Sequence, residues 1–105
     1  MTSMTPEGKV KAAINKILEN ARRTHSAIWW FMPVQNGMGK ASLDYIGWFR
    51  GRAFAIEAKT PGKRPTARQE TTIAGMTVAG AKVFVIDGSV ASLGMLTAWL
   101  ELAAP

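Results

Sequence analysis

Cysteine is absent from the 105 residues, and histidine occurs once, at position 25. The first absence excludes a disulfide scaffold, a thiolate zinc site, an iron–sulfur cluster and a cysteine nucleophile. The second leaves no multi-histidine metal site. Long apolar runs are also missing. The longest stretch with little charge, Val83 to Leu100, is broken by Asp87, Gly88, Ser89 and Ser92 and does not read as a membrane span. The opening residues, Met-Thr-Ser-Met-Thr-Pro-Glu, contain no hydrophobic signal core. These two absences predict a soluble, cytoplasmic protein with no membrane contact. Acidic residues are scarce: seven Asp+Glu against thirteen Lys+Arg, a formal net charge of +6. A basic small domain commonly meets a polyanion, nucleic acid most often; the plain alternative is charge kept for solubility.

What is present describes one folded domain. Apolar residues make up 48% and charged residues 19%, neither a disordered nor a fibrous composition. No repeat or linker divides the chain, so residues 1–105 read as a single domain with its core at about 5–103. A first helix is predicted from Pro6 to Arg23, with Thr5 as N-cap and Pro6 at its first position. Ala27 to Met32 reads as a strand, followed by a glycine-bearing loop from Gln35. Asp44–Arg50 and Arg52–Lys59 form two more strand-like runs, separated by Gly51 and expected to make a hairpin. Thr66 opens a second helix that ends near Gly80. Ala81–Asp87 reads as a buried strand, and Ser89 or Ser92 starts a last helix. The predicted order is α-β-β-β-α-β-α, a mixed α/β sheet flanked by helices, with the third and fourth strands parallel.

Asp44, Glu57 and Lys59 carry the first chemical signal. Along the third strand Ala53, Ala55, Glu57 and Lys59 share one face, and Phe54, Ile56 and Ala58 the other. Folding the hairpin symmetrically about Gly51 sets Asp44 opposite Ala58, one step from Glu57; a one-residue change of register sets it opposite Glu57 itself. Opposed Cβ atoms lie ~4.5–5.5 Å apart, close enough for two carboxylates to share one ion. Such acids repel unless a cation or a proton lies between them, and oxygen ligands of this kind suit Mg²⁺ or Mn²⁺. Lys59 stands beside that pair, where it can stabilise developing negative charge. The competing reading is an exposed cross-strand Glu/Lys pair.

Glu7 shares the stripe of Val10, Ile14, Ile17, Leu18 and Ala21 on the first helix. It reads either as an acid favoured by the helix dipole or as a side chain aimed at the Asp44/Glu57 site. Thr66 and Gln69 match a capping box, which leaves room for a second role for Gln69. Lys63, Arg64, Arg68 and Lys40, with Arg50 and Arg52, offer phosphate-contacting surface or a solvated basic face. Gln35 and Asn36 read as cleft-lining residues or an ordinary turn. Trp29 and Trp30 point to opposite sides of the first strand, which hints at an exposed ring and a subunit interface, with core packing as the alternative.

The succession of Glu7 on a helix, Asp44 on a strand, Phe54-Ala-Ile-Glu57-Ala-Lys59 and then Gln69 at the next helix start resembles the PD-(D/E)XK nuclease superfamily. More narrowly, Thr5-Pro-Glu-Gly-Lys-Val-Lys, Pro33-Val-Gln-Asn-Gly and Ile56 to Gln69 resemble the VRR-NUC (virus-type replication-repair nuclease) family in its short stand-alone phage or prophage form. The resemblance implies a restriction-endonuclease-like fold, Mg²⁺- or Mn²⁺-dependent hydrolysis of phosphodiesters and no organic cofactor. It implies Asp44, Glu57 and the Ala58 carbonyl as metal ligands, Lys59 as the catalytic lysine, and Glu7 and Gln69 as supporting residues. A homodimer cutting branched or flap-like DNA, four-way junctions among them, goes with it; for a phage-encoded chain the place is the host cytoplasm. The family usually has proline just before the aspartate, where this chain has Leu43. Two alternatives stand beside the nuclease: a non-catalytic basic DNA-binding module on a decayed nuclease fold, and a basic interaction protein whose acids are merely exposed.

Overall fold

The computed structural model describes residues 4–34 and 39–102. Gln35 and Asn36, the expected cleft-lining pair, lie outside the described residues. Helix α1 (Pro6–Thr24) starts as its sequence predicts: the Thr5 hydroxyl accepts from the Gly8 amide at 3.0 Å, and proline occupies the first turn. Strands β1 (Ile28–Phe31), β2 (Tyr45–Phe49) and β3 (Arg52–Ala58) follow. Helix α2 (Ala67–Val78), β4 (Lys82–Ile86) and α3 (Val90–Leu102) complete the chain. The four strands lie in sequence order, antiparallel except for the β3–β4 pair, which is parallel and joined through α2.

The hairpin register departs from a symmetric fold about Gly51. Arg50 and Gly51 both take positive φ, 51° and 82°, which is the signature of a two-residue turn of the primed type. Phe49 therefore pairs with Arg52, and Tyr45 with Ile56. Continued by one residue, that register sets Asp44 opposite Glu57 rather than Ala58. The symmetric register is thus replaced by its one-residue alternative, and the cause is that Arg50 belongs to the turn.

The two sheet faces are covered differently. Ile28, Tyr45, Phe49, Phe54, Ile56, Ala58, Phe84 and Ile86 point to one side and meet Val10, Ile14, Leu18 and Ala21 of α1 and Leu96 and Leu100 of α3. Trp99 closes this core, its ring 5.6 Å from those of Phe49 and Phe54 and 5.7 Å from that of Phe84. Gly47 lies in the middle of β2 because a Cβ there would come within 2.5 Å of the Trp29 carbonyl and 2.8 Å of the Phe54 ring. Helix α2 packs beside β4 on the other face, with no fully buried side chain of its own.

Candidate active site

The carboxyl-terminal end of β3 carries the only buried charged side chain among the described residues, Glu57, 2% exposed. A surface Glu/Lys pair is therefore not what the fold makes of this segment, and acids that are merely exposed are excluded at this position. Burial needs partners, and Glu57 has them on one oxygen only. Its Oε2 accepts from Gln69 Nε2 at 2.7 Å and lies 3.4 Å from Lys59 Nζ. Its Oε1 is buried without a hydrogen-bond partner. Desolvation, helped by the nearby Asp44 charge and opposed by Lys59, pushes the Glu57 carboxyl up to about 7.

Asp44 sits just before β2. Its Oδ2 accepts from the Ala58 amide at 2.8 Å, which fastens the acid to the β3 strand end. Leu43, just before Asp44, is fully buried, so packing anchors the approach to Asp44 without the rigid ring of a proline. The preceding loop is held from α2: Arg68 donates to the Gly39 carbonyl, and the Thr72 hydroxyl to that of Ala41 at 2.6 Å.

Gln69 completes the capping box and also hydrogen-bonds Glu57. Its Oε1 accepts from the Thr66 amide at 2.9 Å, its own amide donates to the Thr66 hydroxyl at 3.2 Å, and its Nε2 reaches Glu57. The capping box therefore orients the side chain that holds the buried acid.

Glu7 is placed differently from the expectation of a side chain entering the site from a buried helix face. Its side chain is half exposed. Its contact is Lys11 Nζ at 3.8 Å, and the same ammonium lies 3.6 Å from Asp44 Oδ1. Lys11 is a site residue that sequence reasoning missed. The signal was present: Glu7, Lys11 and Asn15 recur every four residues along the flank of the buried stripe, and Asn15 Oδ1 accepts from the Tyr45 hydroxyl at 2.7 Å. Tyr45, buried and next to Asp44, has its phenol pushed up to about 12 by desolvation and by that charge.

The basic candidates separate into two groups. Lys63 and Arg64 are exposed in the loop that joins β3 to α2, and Lys40 and Arg68 border a shared groove on the α2 side. Arg50 and Arg52 are at the hairpin turn, the opposite end of β3 from Glu57. Arg50 is instead engaged with His25, at 3.2 Å from Nδ1, and with the Phe49 ring. Gln35 cannot be placed, being outside the described residues.

Among the described residues no three acidic or histidine side chains cluster closely enough to cage an ion alone. Two carboxylates at one strand end, one with an unpartnered buried oxygen, nevertheless fit a hard divalent cation completed by backbone carbonyl and water oxygens. A solved structure described as a VRR_NUC domain superposes with a TM-score of 0.68 over 93% of this chain and 97% of its own, at 21% sequence identity. This chain has the VRR_NUC fold. The fold is thus of the PD-(D/E)XK, restriction-endonuclease-like α/β type. No family model matches the sequence, nor does any curated protein. In the VRR_NUC fold of this chain, Asp44, Glu57, Lys59 and Gln69 stand at one end of the sheet, where β2 begins and β3 ends. No helix among the described residues is long and apolar enough to cross a membrane.

Proposed function

We propose that this chain is a Mg²⁺- or Mn²⁺-dependent DNA endonuclease with its centre at Asp44, Glu57 and Lys59. The observation that carries the reading is Glu57: an acid buried at the strand end, with one oxygen unpartnered and a second carboxylate beside it, is stabilised by a bound cation. Asp44, Glu57 and the Ala58 carbonyl would hold the ion. When bound, such an ion supplies Lewis acidity toward a phosphodiester oxygen and toward water.

The chain's own residues do the rest. Gln69 holds Glu57 Oε2, so the other oxygen is presented to the ion in a fixed orientation. Lys59, 3.4 Å from that carboxylate, is positioned by it and neutralises charge that develops on the phosphate during attack. Lys63 and Arg64, next to the site in sequence, and Lys40 and Arg68 along the α2 groove contact the flanking phosphates. Hydrolysis adds water across one P–O bond and leaves a phosphate and a hydroxyl end. The resemblance to VRR-NUC sequences supports branched DNA, four-way junctions included, as substrate and a homodimer as the working form.

Incubation with Mn²⁺ and a panel of duplex, flap, single-stranded and four-way DNA tests this. We expect cleavage, strongest on branched DNA, and a loss of ~10²-fold or more in turnover for Lys59→Ala with DNA binding retained. Tight DNA binding without cleavage of any substrate would leave a non-catalytic DNA-binding module instead.

A further inference from the structure

Lys11 is the member of the charged cluster for which hydrolysis, as outlined above, has no task. We infer that Lys11 occupies the place that a second divalent ion would take between Glu7 and Asp44, so that the centre admits one ion per chain. The inference rests on the metal-dependent reading and specifies its stoichiometry.

Two-ion phosphodiester centres hold their ions ~3.5–4 Å apart, and close ions of this kind need a carboxylate to share between them. Here Asp44 is that carboxylate: its Oδ2 accepts from the Ala58 amide at 2.8 Å and keeps a lone pair for the ion shared with Glu57, while its Oδ1, the oxygen that would bridge to a second ion, lies 3.6 Å from the Lys11 ammonium. Glu7, the acid that would complete a second site, faces the same ammonium at 3.8 Å. The charge of these two carboxylates is already half neutralised, and a dication entering the gap meets an ammonium within contact range. Glu57 is held from the other direction, by Gln69 and Lys59, and keeps its unpartnered Oε1. The cluster thus separates into a Glu57 side, with an oxygen that has no partner, and a Glu7 side of Asp44 that already has a resident cation.

An ordinary (i, i+4) ion pair on a helix surface reaches one partner on its own helix. Lys11 reaches a second carboxylate on another element, and its side chain is mostly covered. Its backbone is tied to the same place, since the Lys11 carbonyl accepts from the hydroxyl of Tyr45, the neighbour of Asp44, at 3.3 Å. The lysine is built into the site rather than lying over it.

Mn²⁺ titration of the whole chain without DNA, by calorimetry and electron paramagnetic resonance, reads the stoichiometry directly. The wild type should bind one ion, and so should Lys11→Arg, which keeps the charge. Lys11→Met, which keeps the stem and removes the charge, should bind two, with spin coupling between them. Adding Glu7→Gln to Lys11→Met should return the count to one. Thermal melting confirms folding, and Lys11→Gln replaces Lys11→Met if the latter does not fold. Two ions in the wild type, or one ion in a folded Lys11→Met or Lys11→Gln, would overturn the inference and leave the nuclease reading intact. No ion in any variant would overturn both.

Discussion

Glu57 ionises against the fold that contains it. Its carboxyl is raised from 4.5 to about 7 by burial first and by Asp44 second, so the folded chain takes up a proton that the unfolded chain has already lost. Across that window the folded state binds more protons, and stability falls as pH rises; above about 7 the full cost applies, on the order of 3 kcal/mol. Denaturant melts in EDTA from about pH 5 to pH 8 should show this decline in the wild type. Glu57→Gln, which keeps an oxygen for Gln69, should flatten it and be the more stable protein at the alkaline end. Asp44→Asn should reduce it, because one of the two causes is gone while an oxygen remains for the Ala58 amide. A wild-type slope identical to that of Glu57→Gln would mean that the acid is not desolvated as described. Protons and a divalent ion compete for the same oxygens, so Mn²⁺ affinity should rise with pH over the same interval.

At the scale of the elements, the β2–β3 hairpin decides which residues meet. The turn takes two residues because Gly51 accepts a left-handed backbone and Arg50 tolerates one; that choice brings Asp44 opposite Glu57. The strand pattern, the capping box and the order of elements were legible in the sequence because each depends on neighbours in the chain. The register was legible only as two alternatives, since no residue type at position 50 announces positive φ. Lys11 was not recognised because its second partner is far away in sequence, and the burial of Glu57 depends on packing that alternation along one strand does not reveal. Gly47 is a further case: an isolated glycine in a strand reads as a weakness, yet the crossing of β1 and the Phe54 ring leaves it no room for a side chain. Gly47→Ala should destabilise the chain by about 3 kcal/mol or more, beyond the usual range for overpacking because two of the obstacles are the β1 backbone and the Cβ of Trp30. Gly51→Ala, with open space around its Cβ, should cost only the backbone strain of about 1–2 kcal/mol. Equal losses at the two positions in equilibrium unfolding would contradict this division.

The whole molecule has one sealed sheet face and one open one, and the open face is where a second chain would bind. Trp29 and Trp30 hinted at an interface in the sequence, and the fold sorts them together with Trp48, Phe49, Met95 and Trp99. Phe49 is buried, and Trp30 and Trp99 pack against the core, while Trp29 stays 62% exposed, Trp48 45% and Met95 61%. Trp29 and Trp48 pair across β1 and β2, their ring centroids 6.1 Å apart, and Phe31 adds a third ring at 5.6 Å from Trp29. These three lie together on the face that α2 covers only beside β4, and β1 is an edge strand. A contiguous aromatic patch of this kind is what a self-complementary two-fold contact buries. Met95 stands on α3, on the opposite side of the sheet. The expected dimer therefore uses Trp29 and Trp48 and not Met95. Light scattering at micromolar concentration should give twice the chain mass of 11.4 kDa for the wild type and for Met95→Ser. The double variant Trp29→Ser, Trp48→Ser should scatter as a single chain while remaining folded, since both rings are already partly in water. Each chain holds its own Asp44, Glu57 and Lys59, so the dissociated variant should still bind Mn²⁺ and nick one strand. What it should lose is the paired cutting of two strands in a four-way junction, because that requires two sites at a fixed separation. A wild type that scatters as one chain yet resolves junctions by paired cuts would show that the two sites need not be joined.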